Sequence, residues 1–339
     1  MAMHRRDCLS SLAALAGAWH GLSWAQDAYP SRAIRVIVPQ PPGGGFDFVA
    51  RVLADKLAQT FKAGVVVENR TGSGTLVGTD LAAKAAPDGY TLLMGSVSNL
   101  VLNAGLFKNL SYDPLRDFEP IGLAVGYSYT LLARKDLPFA SLAELVAHAR
   151  ANPGALSFAS AGNGSGQHVL AAALWHLAGV QLTHVPYRGA QPAYTDLLGG
   201  RVDVFFDLSS TARPHVESGN LKALAVSGAQ RLSMHPQVPT VRETGVAPLE
   251  LESWFGYFAP AKTPAPELAR LRSEMRKVMQ AIQNSLLHFR CSVIGKCYGQ
   301  YASIAIRVIF TQTQTQILFN QIVGFSTSCR TATNPKLRC

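Results

Sequence analysis

The chain has 339 residues, 48% of them hydrophobic and 15% charged, and its 31 Lys and Arg outnumber 21 Asp and Glu to leave a formal net charge of +10. That length is enough for one large or two medium domains with a substantial core. The charge does not single out a nucleic-acid binder: every acidic residue precedes position 281, the C-terminal stretch keeps adding Arg and Lys, and no arginine-rich run, zinc-finger spacing or aromatic–basic stripe is present.

The first thirty residues, "MAMHRRDCLSSLAALAGAWHGLSWAQDAYP", carry a basic start at His4–Arg6 and an apolar stretch from Leu9 to about Leu22. Ser23 and Ala25 sit at −3 and −1 of a cut before Gln26. This is the pattern of an export signal over residues 1–25, too short and wrongly flanked for a membrane anchor. Arg5-Arg6 also admits the twin-arginine route. Cys8 leaves with the signal, and Cys291, Cys297, Cys329 and Cys339 all lie near the C-terminus, so the body must be held by its core rather than by disulfides.

Strand-like and helix-like segments then alternate. "IRVIV" (34–38) precedes a helix predicted over 46–60, "VVVEN" (65–69) one over 76–85, and "YTLLMG" (90–95) a loop rich in Asn and Ser. After "EPIGLAVGYSYTLLAR" (119–134), helices predicted at 142–151, 166–178 and 190–198 alternate with "LSFAS", "THVPY", "VDVFF" and "LKALAVS". Continuous apolar strands separated by helices argue for parallel sheets covered on both faces, which bind ligands beyond the carboxyl ends of their strands.

The run at 121–133 could cross from a first lobe to a second, with a return near 225–240 that leaves "ESWFGYFAPAKTP" and a helix over 266–280 to complete the first. The expected division is 26–125, 126–235 and 236–280, although one continuous sheet also satisfies the periodicity. Residues 281–339 differ in kind: apolar residues alternate with Gln and Thr, without one acidic residue. Such a stretch is β-prone and sticky, either a β-extension or the product of a shifted reading frame or junction.

Four polar loops follow the strands. In "VPQPPGGGFD" (38–47), Pro41 and Pro42 fix φ and remove donors, while Gly43–Gly45 admit close backbone approach. The loop is neither Gly-x-x-x-x-Gly-Lys-Ser/Thr nor Gly-x-Gly-x-x-Gly, so it is a tight turn or a carboxylate cradle of backbone amides, not a phosphate loop. "GSVSNLVLN" (95–103) is the second. "SAGNGSGQH" (160–168) offers hydroxyls and glycine amides at a helix start, or helix capping by Ser165 with a core-facing His168. In "VPYRG" (185–189), Tyr187 could cover an apolar ligand stem, while Arg188 supplies charge or faces solvent.

Ser165, His168 and Asp207 are the right types for hydrolysis, but the serine lies outside a Gly-x-Ser-x-Gly elbow. His184 and His215 lack partners at metal-ligand spacing, and Trp254, Phe255, Tyr257 and Phe258 read as packing aromatics. No cofactor is expected.

Taken in order, "YPSRAIRVIVPQPPGGGFD", "VVVENRTGSG", "APDGYTLLMG", "LSYDPLRDFEPI", "SFASAGNGSGQH", "THVPYRGAQPAYTDLLGGRVDVFFD", "GNLKALAVSG", "HPQVPTVRETG" and "WFGYFAPAKTP" resemble the periplasmic substrate-binding proteins of tripartite tricarboxylate transporters over about 29–280. The resemblance implies an α/β type II periplasmic-binding-protein fold, with two lobes, a hinge and an interlobe cleft closing on a small organic carboxylate. It implies no catalysis, a periplasmic location, and as partner the integral-membrane permease of a secondary transporter; the receptor is expected to be a monomer if the tail folds. The ligand-binding positions it carries over are Pro42, Gly43, Gly44, Phe46 and Asp47; Ser96, Ser98 and Asn103; Ser160, Ala161, Gly162, Ser165 and His168; and Tyr187, Arg188, Gly189 and Asp207. The chain departs from the family at Thr71 and Ser73, commonly Pro and Ala, and after Gln280, where acidic and basic terminal helices are expected. A binding-incompetent or interaction protein produced by that tail is one alternative; a small-molecule hydrolase using the Ser/His/Asp set is the other.

Overall fold

The computed structural model describes residues 29–294, and side chains as far as residue 283. The export signal read at 1–25 and most of the tail lie outside the described residues. In chain order the elements are β1 (Ile34–Val38), α1 (Gly45–Phe61), β2 (Val65–Asn69), α2 (Leu76–Ala83), β3 (Thr91–Ser96), β4 (Phe118–Arg134), α3 (Leu142–Ala151), β5 (Ser157–Ser160), α4 (Gly166–Ala178), β6 (Thr183–Pro186), α5 (Ala190–Leu198), β7 (Val204–Leu208), α6 (Ser209–Glu217), β8 (Leu221–Val226), β9 (Glu252–Pro260) and α7 (Ala265–Ile294). The Asn- and Ser-rich stretch after β3, expected as a loop, instead winds into a π-helical turn at Ser98–Leu102 and a four-residue helix at Asn103–Leu106.

Local sequence accounts for the individual elements. In α1, Phe46, Ala50, Leu53, Ala54, Leu57 and Phe61 recur at helical spacing and all are buried. The helix stops where Lys62 turns left-handed at φ 54°. In β1, Val36, Ile37 and Val38 are wholly buried, as expected of a strand covered on both faces. The hydroxyl of Ser165 caps α4 by accepting from the His168 N–H at 3.3 Å, and Gly179 closes that helix at φ 65°.

The strands run β2-β1-β3-β9-β4-β7-β5-β6, with β8 also paired to β4. The sheet is mixed rather than parallel as the alternation suggested. β1 pairs parallel with β2 and β3, and β5 parallel with β6 and β7, but β4 is antiparallel to β7, β8 and β9. The reason is β4 itself. Its 17 residues pair with β9 through Phe118–Ser128 and with β7 and β8 through Tyr129–Arg134, so one strand belongs to two half-sheets.

Aromatics fill the junction: Phe255 stacks on Tyr127 at 4.6 Å and meets Phe46 edge-on at 4.7 Å. The Tyr257 hydroxyl donates to the Ala50 carbonyl at 2.8 Å, fastening α1 to β9. The composition change at 281 does not coincide with a break in the backbone, because α7 continues through it to Ile294. Among the described residues no helix is long and apolar enough to cross a membrane.

Close packing of α2 fixes the rim of the first half-sheet. A Cβ on Gly78 would run into the Arg70 carbonyl and stand 2.8 Å from Pro39 Cα, both backbone atoms that cannot step aside. Gly78→Ala is expected to lower the unfolding free energy by about 1–3 kcal/mol, the range for overpacking, as read from urea denaturation of the purified protein.

Candidate functional site

The turn between β1 and α1 is held from one side by Asp47, which is 5% exposed. Its carboxylate accepts the Gly43 N–H at 3.0 Å, Arg51 Nε at 3.0 Å and Asn69 Nδ2 at 3.0 Å. Asn69, at the end of β2, also donates to the Gln40 carbonyl at 2.9 Å. Burial alone would raise the Asp47 pKa; the hydrogen bonds from Arg51, Gly43 and Asn69 outweigh it and hold the group below its ordinary value.

The three glycines have different duties. Gly43 needs its left-handed φ of 83°, and Gly45 is confined because a Cβ there would collide with Leu208. Gly44 is neither strained nor crowded: its φ is −91°, and a Cβ would find only Gln40 Oε1 at 3.9 Å. It stands as N-cap of α1 with no side-chain cap, so the first amides of that helix lack a side-chain acceptor.

The other half-sheet presses its loops against this turn. Gln191 Nε2 donates to the Gly43 carbonyl at 2.8 Å, and Pro41 Cγ lies 3.1 Å from where a Gly189 Cβ would be. Farther in, the Gly166 N–H donates to Ser98 Oγ at 3.1 Å. Gly74 lies against the Asn163 carbonyl too closely to carry a side chain. The structure thus brings together the turn at 42–44, Ser98, the loop at 162–166 and the segment 187–191.

The remaining expected residues are engaged in internal contacts. Phe46 is 4% exposed in the aromatic junction. Ser96 Oγ accepts from the Ser98 N–H at 3.0 Å. Asn103 Nδ2 donates to Thr75 Oγ1 and Tyr112 Oη, both at 3.0 Å, and its Oδ1, although buried, has no hydrogen-bond partner. Ser160 Oγ meets His184 Nε2 at 2.7 Å, and Ala161 accepts from the Gly189 N–H at 3.3 Å. Tyr187 is steered by its hydroxyl, which donates to Asp196 at 2.7 Å, and Asp196 is paired in turn with Arg201. Arg188 is exposed and has no ion pair among the described residues.

The Ser/His/Asp set does not form a relay. Ser165 Oγ accepts from the backbone of His168, whose Nδ1 accepts from the Gly164 N–H at 3.2 Å. Asp207, 1% exposed, accepts from Gln167 Nε2 and Thr211 Oγ1. Burial pushes the Asp207 carboxyl up against those bonds. His168 and His184 stack at 4.1 Å, and burial lowers both, His184 to about 4 with help from its neighbour, so both rings are neutral at neutral pH. His215 stacks on Tyr194 at 4.6 Å. Among the described residues no cluster of three His, Cys, Asp or Glu could hold a metal.

Sequence reasoning passed over Asn69, Gln167 and Gln191. All three are polar residues inside the motifs already quoted, but no spacing rule marks an amide that reaches a distant backbone. A hollow of about 550 Å³ bordered by Arg134, Lys135, Asp136, Leu197, Leu198 and Asn220 involves none of the loop residues.

Two half-sheets sharing one long strand, with glycine-rich loops meeting across their junction, define a type II periplasmic-binding-protein fold. The profile of the tripartite tricarboxylate transporter family receptor, TctC, matches residues 49–306, and the chain belongs to that family. It is 41% identical over 256 residues, covering 75% of this chain and 76% of the relative, to a UPF0065 protein from the tcbD-tcbE intergenic region of Pseudomonas sp. strain P51. MatC (Rpa3494) of Rhodopseudomonas palustris, solved with bound malate, superposes with a TM-score of 0.75 at 31% identity over 89% of this chain and all of that one. R. palustris Rpa4515, solved with adipate, superposes at 0.70 with 29% identity over 79% of this chain and 97% of that one. The family is one of transport receptors, not enzymes.

Asp47→Asn removes the ion pair with Arg51 and weakens the hold on Gly43. The Asp47 pKa is depressed in the folded state, so its contribution is present above the ordinary aspartate value of about 3.9 and is lost as pH falls through the lower folded value. The substitution should cost about 1–3 kcal/mol at pH 7, and the gap to wild type should close below about pH 4, as measured by urea titrations at each pH.

Proposed function

We propose that the chain is a periplasmic receptor that closes two lobes, 26–125 with 236–280 and 126–235, around a small organic carboxylate and presents it to the permease of a tripartite tricarboxylate-type system. The observation that carries this reading is the turn at 42–44. Its helix-starting amides have no side-chain cap, Gly44 leaves open the space where a Cβ would stand, and Gly189 and Gln191 of the other half-sheet close on its flank. Backbone donors at a helix start suit a carboxylate, because they supply partial positive charge and directed N–H groups together. Malate in MatC and adipate in Rpa4515 are acids of this chemistry.

In this reading lobe 2 contributes mostly neutral donors. The hydroxyls of Ser160 and Ser165 stand beside imidazoles that burial keeps uncharged. Arg188 is exposed and has no ion pair among the described residues, which leaves it free to meet a distal anionic group. Tyr187, aligned by Asp196, would cover the ligand body. Binding energy here drives closure and no bond is broken, so the closed form is what the permease would recognise.

Titration calorimetry of signal-free protein with mono-, di- and tricarboxylates at fixed pH and ionic strength tests the reading. At least one acid should bind with a 1:1 stoichiometry and emerge unchanged; product formation, or no binding by a folded sample, would overturn it. Gly44→Val should leave the fold intact, because φ −91° and the open space tolerate it, yet weaken every acid by tenfold or more as the side chain enters the carboxylate's approach. Tyr187→Ala should instead reorder preference among the acids.

A further inference from the structure

We propose that Gln191 is the latch of the closed lobes, a positioning residue that sets how long the closed form lasts without itself choosing the ligand. The inference rests on the receptor reading and goes beyond it to the rate of release. Gln191 belongs to the first turn of α5, 148 residues along the chain from Gly43, yet its Nε2 donates to the Gly43 carbonyl at 2.8 Å.

Both ends of this bond are prepared. Gly43 is held at φ 83° while its N–H is fastened to Asp47, so the carbonyl is presented from a rigid turn. On the other side, Gly189 and Gln191 sit two residues apart. The first lets Pro41 approach within 3.1 Å of its absent Cβ, and the second lays its Cγ 3.2 Å from the corresponding position on Gly43. These paired contacts, Pro41 with Gly189 and Gly43 with Gln191, form a short seam between segments that follow β1 and β6, which lie near opposite ends of the sheet order.

A contact between the two half-sheets is broken by opening. It therefore lowers the free energy of the closed form against the open one and slows escape, while leaving capture by the open form unchanged. The seam is made of protein atoms alone, so its effect on release is the same for every acid. The acceptor is a main-chain carbonyl, so only a side chain with a donor at this reach serves.

The test compares wild type, Gln191→Ala and Gln191→Glu in the full mature chain, with malate and adipate as probes. Stopped-flow measurement of both rate constants should give dissociation about five-fold faster in Gln191→Ala, the effect of one net hydrogen bond, with association unchanged and the same factor for each acid. Gln191→Glu should release faster still at pH 7.5, because a carboxylate would face the Gly43 carbonyl. Small-angle scattering should show a larger radius of gyration in both variants than in wild type.

Unchanged dissociation in both variants overturns the latch. So does a loss confined to one acid, which would make Gln191 a ligand contact. If wild type binds neither acid, the receptor reading for these ligands fails separately and scattering decides the latch: expansion in the variants supports it, and three identical curves overturn it.

Discussion

The carboxylate of Asp47 receives the amide of Gly43, the guanidinium of Arg51 and the side-chain amide of Asn69, and so ties β1, α1 and β2 into one unit around the glycine turn. Three successive glycines are otherwise the most mobile sequence a loop can have, since each loses more backbone freedom on folding than any other residue. A cradle of backbone donors is useful only if the donors do not move when a ligand arrives. Asp47 supplies that rigidity from beneath the turn. Its carboxylate is committed to three protein groups, so in the proposed reading the amides at the start of α1, rather than the aspartate, would meet an anion.

A second constraint comes from β4. Because its first part pairs with β9 and its last residues with β7 and β8, one continuous strand joins the two half-sheets, and the pairing changes near Ser128 and Tyr129. Tyr127 and Tyr129 lie at that place with their hydroxyls 3.3 Å apart, and burial raises both phenols so that they stay protonated. Ser209 Oγ donates to the Ser128 carbonyl at 2.8 Å, and the Leu251 N–H donates to the Ser227 carbonyl at 2.7 Å. This junction is packed with aromatic rings and neutral hydroxyls.

The loop at 160–168 shows how a serine and a histidine can be neighbours without chemistry between them. The cap geometry of Ser165 directs its oxygen at a backbone N–H, and the ring of His168 turns to accept from Gly164 and to stack on His184. Phe158 extends the stack at 4.7 Å from His184. Burial disfavours the charged form of both rings, and the neighbouring His168 lowers His184 further. The arrangement supports a loop; it does not activate a nucleophile.

Short-range chemistry was legible in the chain. The turn at 41–45, the cap at Ser165, the apolar stripe of α1 and the order of strands and helices each follow from residues within a few positions of one another. The ordered motifs were enough to point to the family. What the sequence could not decide was direction and reach. Strand periodicity is the same for parallel and antiparallel neighbours, so the antiparallel pairing of β4 with β9 is decided by the tertiary fold. Composition marked a boundary at 281, but a helix is set by backbone bonds four residues apart, and α7 runs through it. The run of three glycines reads alike in the sequence, yet only Gly43 takes a left-handed φ and only Gly45 is confined by Leu208 of the other half-sheet. Gln191 and Asn69 acquire their roles only when residues 148 and 29 positions away come within hydrogen-bond distance, and that meeting is made by the tertiary fold alone.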